Sequence, residues 1–141
     1  MATYDRWPLG QDLQLLDCVT ALEALLGTGT EISFKLAFRV AALLAESDPE
    51  RAEMLKLMKD FYDTRSALVH GSQLSEKHRR RLAKNDDLRA LVRRLLRAFV
   101  TFAAKPPGTY DRKFFTEQLD VALVDATERD NLRTALGLNL D

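Results

Sequence analysis

The chain has 141 residues, with 21 Lys or Arg against 21 Asp or Glu, so its formal net charge is zero. That length holds one core and not two, and 46% hydrophobic with 30% charged residues describes a folded globular chain rather than a disordered one. The single cysteine, Cys18, excludes an internal disulfide and a thiolate metal cluster, and no apolar run is long enough to span a bilayer. With no basic-then-apolar leader at the N-terminus, the expected location is the cytoplasm, with no membrane partner.

Residues 1–10, including Trp7, Pro8 and Gly10, have no helical period and read as an arm ahead of a domain spanning 11–141. From 11 to 26, Leu15, Leu16, Val19, Leu22, Leu25 and Leu26 recur at steps of three and four, which predicts an amphipathic helix ended by Gly27 and Gly29. Cys18 falls among these apolar positions as a small core filler. Thr30 is the expected N-cap of a second helix reaching about Ala45, apolar over much of its circumference and therefore central. Arg39 stands in its middle. A buried guanidinium there requires a carboxylate or a row of backbone carbonyls, and Glu23 is a candidate partner.

Asp48 followed by Pro49 predicts the start of a third helix, with Asp48 as cap, running to about Val69. Residues 72–75 form a turn, a short basic helix covers about 75–84, and Asn85 with Asp86 signals a long helix to about 104. Residues 75–104 are equally compatible with one bent helix. Pro106, Pro107 and Gly108 close it, and the remainder from about Asp111 carries one helix and a shorter one. No stretch alternates in the strand period. The expected fold is all-α, a single-domain bundle of about five to six helices.

The neutral total hides an uneven distribution. Residues 1–64 carry six Lys or Arg against eleven acids, whereas residues 76–97 carry nine against three. Such a basic run is a solvated face pairing with acidic neighbours, or a rim for phosphate in which Arg79, Arg80, Arg81 and Lys84 bind RNA. Duplex DNA binding by the same helix is a further reading.

The stretch from Phe61 to Gly71 closes the third helix and holds the chain's one evident chemical pair, Arg65 and His70. Five residues turn about 140° around a helix, so the two side chains share a broad face without stacking. Gly71 suits the left-handed C-cap that ends a helix, and His70 lies where the chain reverses. On spacing alone the pair reads equally as a solvated Arg and a helix-capping His. With only His70 and His78 present, no metal-ligand spacing is found, nor any glycine-rich phosphate loop or nucleophile elbow, so neither a metal nor a cofactor is expected.

The run from Tyr62 to Gly71 resembles the R-x4-6-H signature of the HEPN superfamily, with four intervening residues here. The upstream positions Glu23, Leu25 and Leu26, then Glu31, Ile32, Ser33, Lys35, Leu36, Ala37, Arg39 and Val40, resemble its Apea-like branch. The resemblance implies a helical bundle, usually a homodimer, whose ribonuclease members pair two such motifs in a cleft at the dimer interface. It assigns Arg65 and His70 as catalytic; Ser66, Tyr62, Arg39 and Glu23 are read beside them as supporting residues. Ser66 stands where nuclease members commonly carry Asn, Asp or His. The same resemblance implies defence or toxin–antitoxin systems, with an antitoxin or regulatory protein as a further partner, and it includes non-catalytic members that act as RNA- or protein-binding modules.

His and Arg suit metal-independent RNA cleavage: imidazole exchanges a proton with the ribose 2′-hydroxyl or the leaving 5′-oxygen, while guanidinium opposes charge on phosphorus. One imidazole does not serve both sides of phosphorus at once. A lone motif therefore calls for two copies.

Overall fold

The computed structural model describes residues 11–27, 31–71, 73–104 and 112–140; the N-terminal arm with Trp7, the Thr30 cap and the Pro106-Pro107-Gly108 stop lie outside them. Seven helices follow in order: α1 (Gln11–Leu26), α2 (Ile32–Leu44), α3 (Asp48–Val69), α4 (Glu76–Leu82), α5 (Asn85–Ala103), α6 (Arg112–Val124) and α7 (Ala126–Ala135), then a 3₁₀ turn at Leu138–Leu140. The fold is one all-α domain, with no strand among the described residues. Among the described residues the helices number seven against the five to six expected: residues 75–104 form two, parting at Ala83 and Lys84, and the tail forms the helix and shorter helix read from the sequence, packed as a hairpin.

The local signals explain where these helices begin and end, with two corrections. α3 is capped by Ser47 and not by Asp48: Ser47 is extended and its hydroxyl accepts from the Glu50 N–H at 3.3 Å. Asp48 is already helical and binds Arg51 instead. α2 starts from Glu31, which sits in the left-handed region at φ 57° and offers no side-chain cap. Short α4 is closed by a reciprocal cap in which Ser75 and His78 each accept the other's backbone N–H at 3.2 Å.

Packing centres on α2, which touches α1, α3, α6 and α7. Its alanines at 37, 41 and 42 and the C-cap Ala45 are all buried, and their small size lets neighbouring helices approach closely. From α1, Leu15, Val19, Leu22 and Leu26 supply one fully buried stripe, each contributing about 1.5–3 kcal/mol by leaving water. Cys18 belongs to the same face, and burial raises its thiol pKa. α5 turns Leu88, Val92, Leu95 and Phe102 inward, and Phe99 and Phe102 meet Phe115 of α6 at ring separations of 5.0 and 5.8 Å.

Two buried arginines and one half-buried arginine tie helix ends together. Arg39, 1% exposed, donates to the Leu26 carbonyl at the end of α1 and to Asp120 of α6 at 2.8 Å. Arg133 reaches from α7 to the Leu43 carbonyl near the end of α2 at 2.9 Å, and Arg129 reaches the Ala122 carbonyl of α6 at 3.0 Å. Each satisfies a carbonyl that a helix terminus leaves without an internal donor and places a cation at the negative end of the dipole. Arg39 thus finds both of the partner types its burial requires, with Asp120 as the carboxylate; Glu23 is engaged elsewhere.

Candidate functional site

The second half of α3 carries the motif residues. α3 packs along α2 and also meets α1 and α4, so its C-terminal turns lie between the end of α1 and the short basic helix. Tyr62 and Arg65 turn toward α1. The Tyr62 hydroxyl donates to Glu23 Oε1 at 2.5 Å, and Arg65 Nη2 stands 3.9 Å from the same oxygen. The Arg65 guanidinium also lies 5.6 Å from the centre of the Tyr62 ring, within cation–π range. Burial, then the bond to Glu23, pushes the Tyr62 pKa up to about 12, so the phenol remains a neutral donor. Arg65 is held loosely. Its separation from Glu23 exceeds hydrogen-bond range and its side chain is 33% exposed, which leaves guanidinium donors available to a ligand.

His70 occupies the C-cap of α3. Its backbone N–H bonds to the Ser66 carbonyl at 3.0 Å, and Gly71 follows at φ 66° with its N–H on the Leu68 carbonyl at 3.2 Å. The imidazole is exposed and takes up no partner among the described residues. Steps of four, three and four align Lys59, Asp63, Ser66 and His70 on one face of α3. Arg65 sits on the flank facing Glu23. Within one chain the structure therefore gathers Glu23, Tyr62 and Arg65 into one cluster, and no hydrogen bond or ion pair joins Arg65 to His70.

Ser66 lies between them and is half-buried. With Tyr62, Asp63, Lys59, Ser33 and Phe34 it lines an open groove of about 350 Å³ between α2 and α3. Phe34 is 54% exposed on that groove, and Val69, next to His70, is 53% exposed. Arg39 is set apart from the groove. It acts on the cluster through α1: its bond to Leu26 fixes the last turn of the helix whose preceding turn carries Glu23.

α4 docks beside the His70 face. His78 Nε2 lies 2.9 Å from Asp63 Oδ2, Lys77 Nζ 3.1 Å from Asp60 Oδ1, and Arg81 Nη2 2.9 Å from Asp60 Oδ2. Arg81 also lies 5.2 Å over the Phe61 ring. Of the four basic residues expected to bind RNA, Arg81 is thus built into the fold, whereas Arg79, Arg80 and Lys84 are exposed. Asp60, Asp63 and Asp120 went unrecognised in the sequence, since their partners lie 15 to 81 residues away and no local pattern marks them.

Among the described residues no three His, Cys, Asp or Glu side chains gather in a way that could hold a metal, and no helix is long and apolar enough to cross a membrane. No protein-family model, curated protein or solved structure matches the chain.

Proposed function

We propose that the protein is a metal-independent endoribonuclease of HEPN type that works as a homodimer, with Arg65 and His70 as its catalytic residues. The observation that carries this reading is the contrast at the end of α3: Arg65 is oriented by Glu23 and Tyr62 with donors to spare, while the His70 imidazole stands open to solvent. In the proposed step His70 takes the proton of a ribose 2′-hydroxyl, the 2′-oxygen attacks phosphorus, and the bond to the 5′-oxygen breaks. The 5′-oxygen receives its proton from His70 of the second copy, and a 2′,3′-cyclic phosphate remains. Arg65 opposes the negative charge that builds on the phosphoryl oxygens.

Because Arg65 and His70 are turned to different flanks of one helix, a site that uses both from one chain is strained, whereas two chains meeting at this end of α3 can face each other. Phe34 and Val69 supply exposed apolar surface beside the motif that a second copy would cover. The resemblance in the R-x4-H run supports the same arrangement, and with it an antitoxin or regulatory protein as partner.

Single variants test it. Arg65→Ala and His70→Ala are each expected to lower RNA cleavage at least about a hundredfold, the range for loss of an acid–base or charge-stabilising group, while the circular dichroism spectrum stays unchanged. A second reading rests on the Arg65 contacts with Glu23 and Tyr62: a non-catalytic dimer that binds RNA or protein, with Arg65 structural. Unchanged cleavage in both variants, together with loss of dimer in Arg65→Ala, would establish that reading instead.

A further inference from the structure

A second concave surface lies on α4. It is a groove of about 400 Å³ lined, among the described residues, by Lys77, Arg80, Arg81, Ala83 and Lys84, four cations and no acid. Two of the cations are fixed. Lys77 and Arg81 share the carboxylate of Asp60, 15% exposed, and Arg81 is further held over Phe61. One carboxylate offsets one charge, so the groove keeps a surplus of three. Arg80 and Lys84 are exposed and have no carboxylate partner among the described residues.

Arg80 and Lys84 are four residues apart across the end of α4, where Lys84 has left the helical backbone at φ −103°, and both line the groove. Like charges at that spacing repel, and the walls add two more. Three cations in the last turn, Arg79, Arg80 and Arg81, also complement the carbonyl end of the helix, but the dipole of seven residues does not account for Lys77 and Lys84 as well. A bound polyanion removes the repulsion. Phosphate fits best, since guanidinium offers forked donors and the Lys84 ammonium a further point charge. Among the described residues no aromatic side chain lines the groove, so it contacts backbone and not bases.

We infer that the α4 groove binds the backbone phosphates of a single RNA strand, with Arg80 and Lys84 facing the ligand and Lys77 and Arg81 as walls anchored on Asp60. This rests on the RNA reading above. It revises the sequence-based grouping, because Lys77 lines the groove and Arg79 does not. Placement gives it a use: α4 is tied to α3 at Asp60 and Asp63, and Asp63 shares its helix face with His70. Asp60 and His70 are ten residues apart along α3, about 15 Å, so a strand held in the groove reaches His70 by running on along that helix.

The test measures anisotropy of a labelled single-stranded oligonucleotide RNA in EDTA over a salt series, in the full chain carrying His70→Ala so that the RNA stays intact. Adding Arg80→Gln with Lys84→Gln is expected to lower affinity at least about tenfold and to flatten the slope of log affinity against log salt by about 1.4, two contacts at about 0.7 each for a single strand. Arg93→Gln with Arg97→Gln removes the same charge from α5 and is expected to change affinity less than about threefold. Equal losses in both pairs, or none in the first, overturn the groove assignment. Duplex DNA of equal length that competes as well as the RNA strand, and is lost with the same pair, overturns the single-strand assignment. Failure of the wild-type chain to cut RNA would refute the nuclease reading and leave this binding result standing.

Discussion

Replacing Arg39 with Met removes the donor to Leu26 and the partner of Asp120, but the two losses are unequal. Asp120 is 59% exposed and returns to water, whereas the Leu26 carbonyl lies beside a guanidinium that is 1% exposed. Arg39→Met is expected to cost about 1–3 kcal/mol, the penalty for an unsatisfied buried group, and Asp120→Asn less than about 1 kcal/mol, as for an exposed ion pair. Denaturant unfolding of both variants checks the order; equal costs would mean that the ion pair, and not the carbonyl bond, holds α1. Tyr62 gives a pH prediction. Its folded pKa, about 12, stands above the ordinary 10.0, so the folded chain keeps a proton that the unfolded chain releases. The resulting stabilisation is complete below about pH 10, declines between about 10 and about 12, and is gone above that range. Tyr62→Phe should remove this part of the alkaline decline in thermal stability; an unaltered decline would mean that folding does not raise the Tyr62 pKa.

At the scale of the element, the two ends that border the site test opposite conformational effects. Gly71 ends α3 at φ 66°, and a Cβ added there meets nothing within 4 Å. Gly71→Ala is therefore expected to cost about 1 kcal/mol from the left-handed backbone alone, with no clash to relieve. Glu31 begins α2 at φ 57° with a side chain that makes no cap bond, so Glu31→Gly is expected to gain up to about 1 kcal/mol. Shifts of the same sign in both variants would contradict this account of the helix ends. The sequence revealed the element plan because its markers are local: period in α1 and α5, Pro49 at a start, Gly71 at a stop. It misplaced the α3 cap by one residue because Ser47 and Asp48 are both good acceptors, and the backbone conformation at Ser47 decides between them.

Across the whole molecule, what the sequence concealed is long-range. Arg39 meets Asp120 across 81 residues and Arg133 meets Leu43 across 90, so the residues that lock helix ends cannot be paired from spacing. The motif was legible as a pattern, but its geometry was not: Glu23 turns to Arg65 and Tyr62, and His70 stays apart. That separation within one chain makes association the decisive property. The apolar pair Phe34 and Val69 lies at the same end, so Val69→Asp is expected to shift the mass measured by sedimentation toward the monomer and to lower cleavage in proportion; a monomeric wild type that cleaves fully would contradict the paired-motif arrangement. The most direct measurement is to incubate the wild-type chain and His70→Ala with a pool of structured and single-stranded RNA in EDTA and to map the ends produced. The account predicts cleavage by the wild type alone, leaving 2′,3′-cyclic phosphates. An intact pool at concentrations where the protein is dimeric, or equal cleavage by His70→Ala, would contradict it.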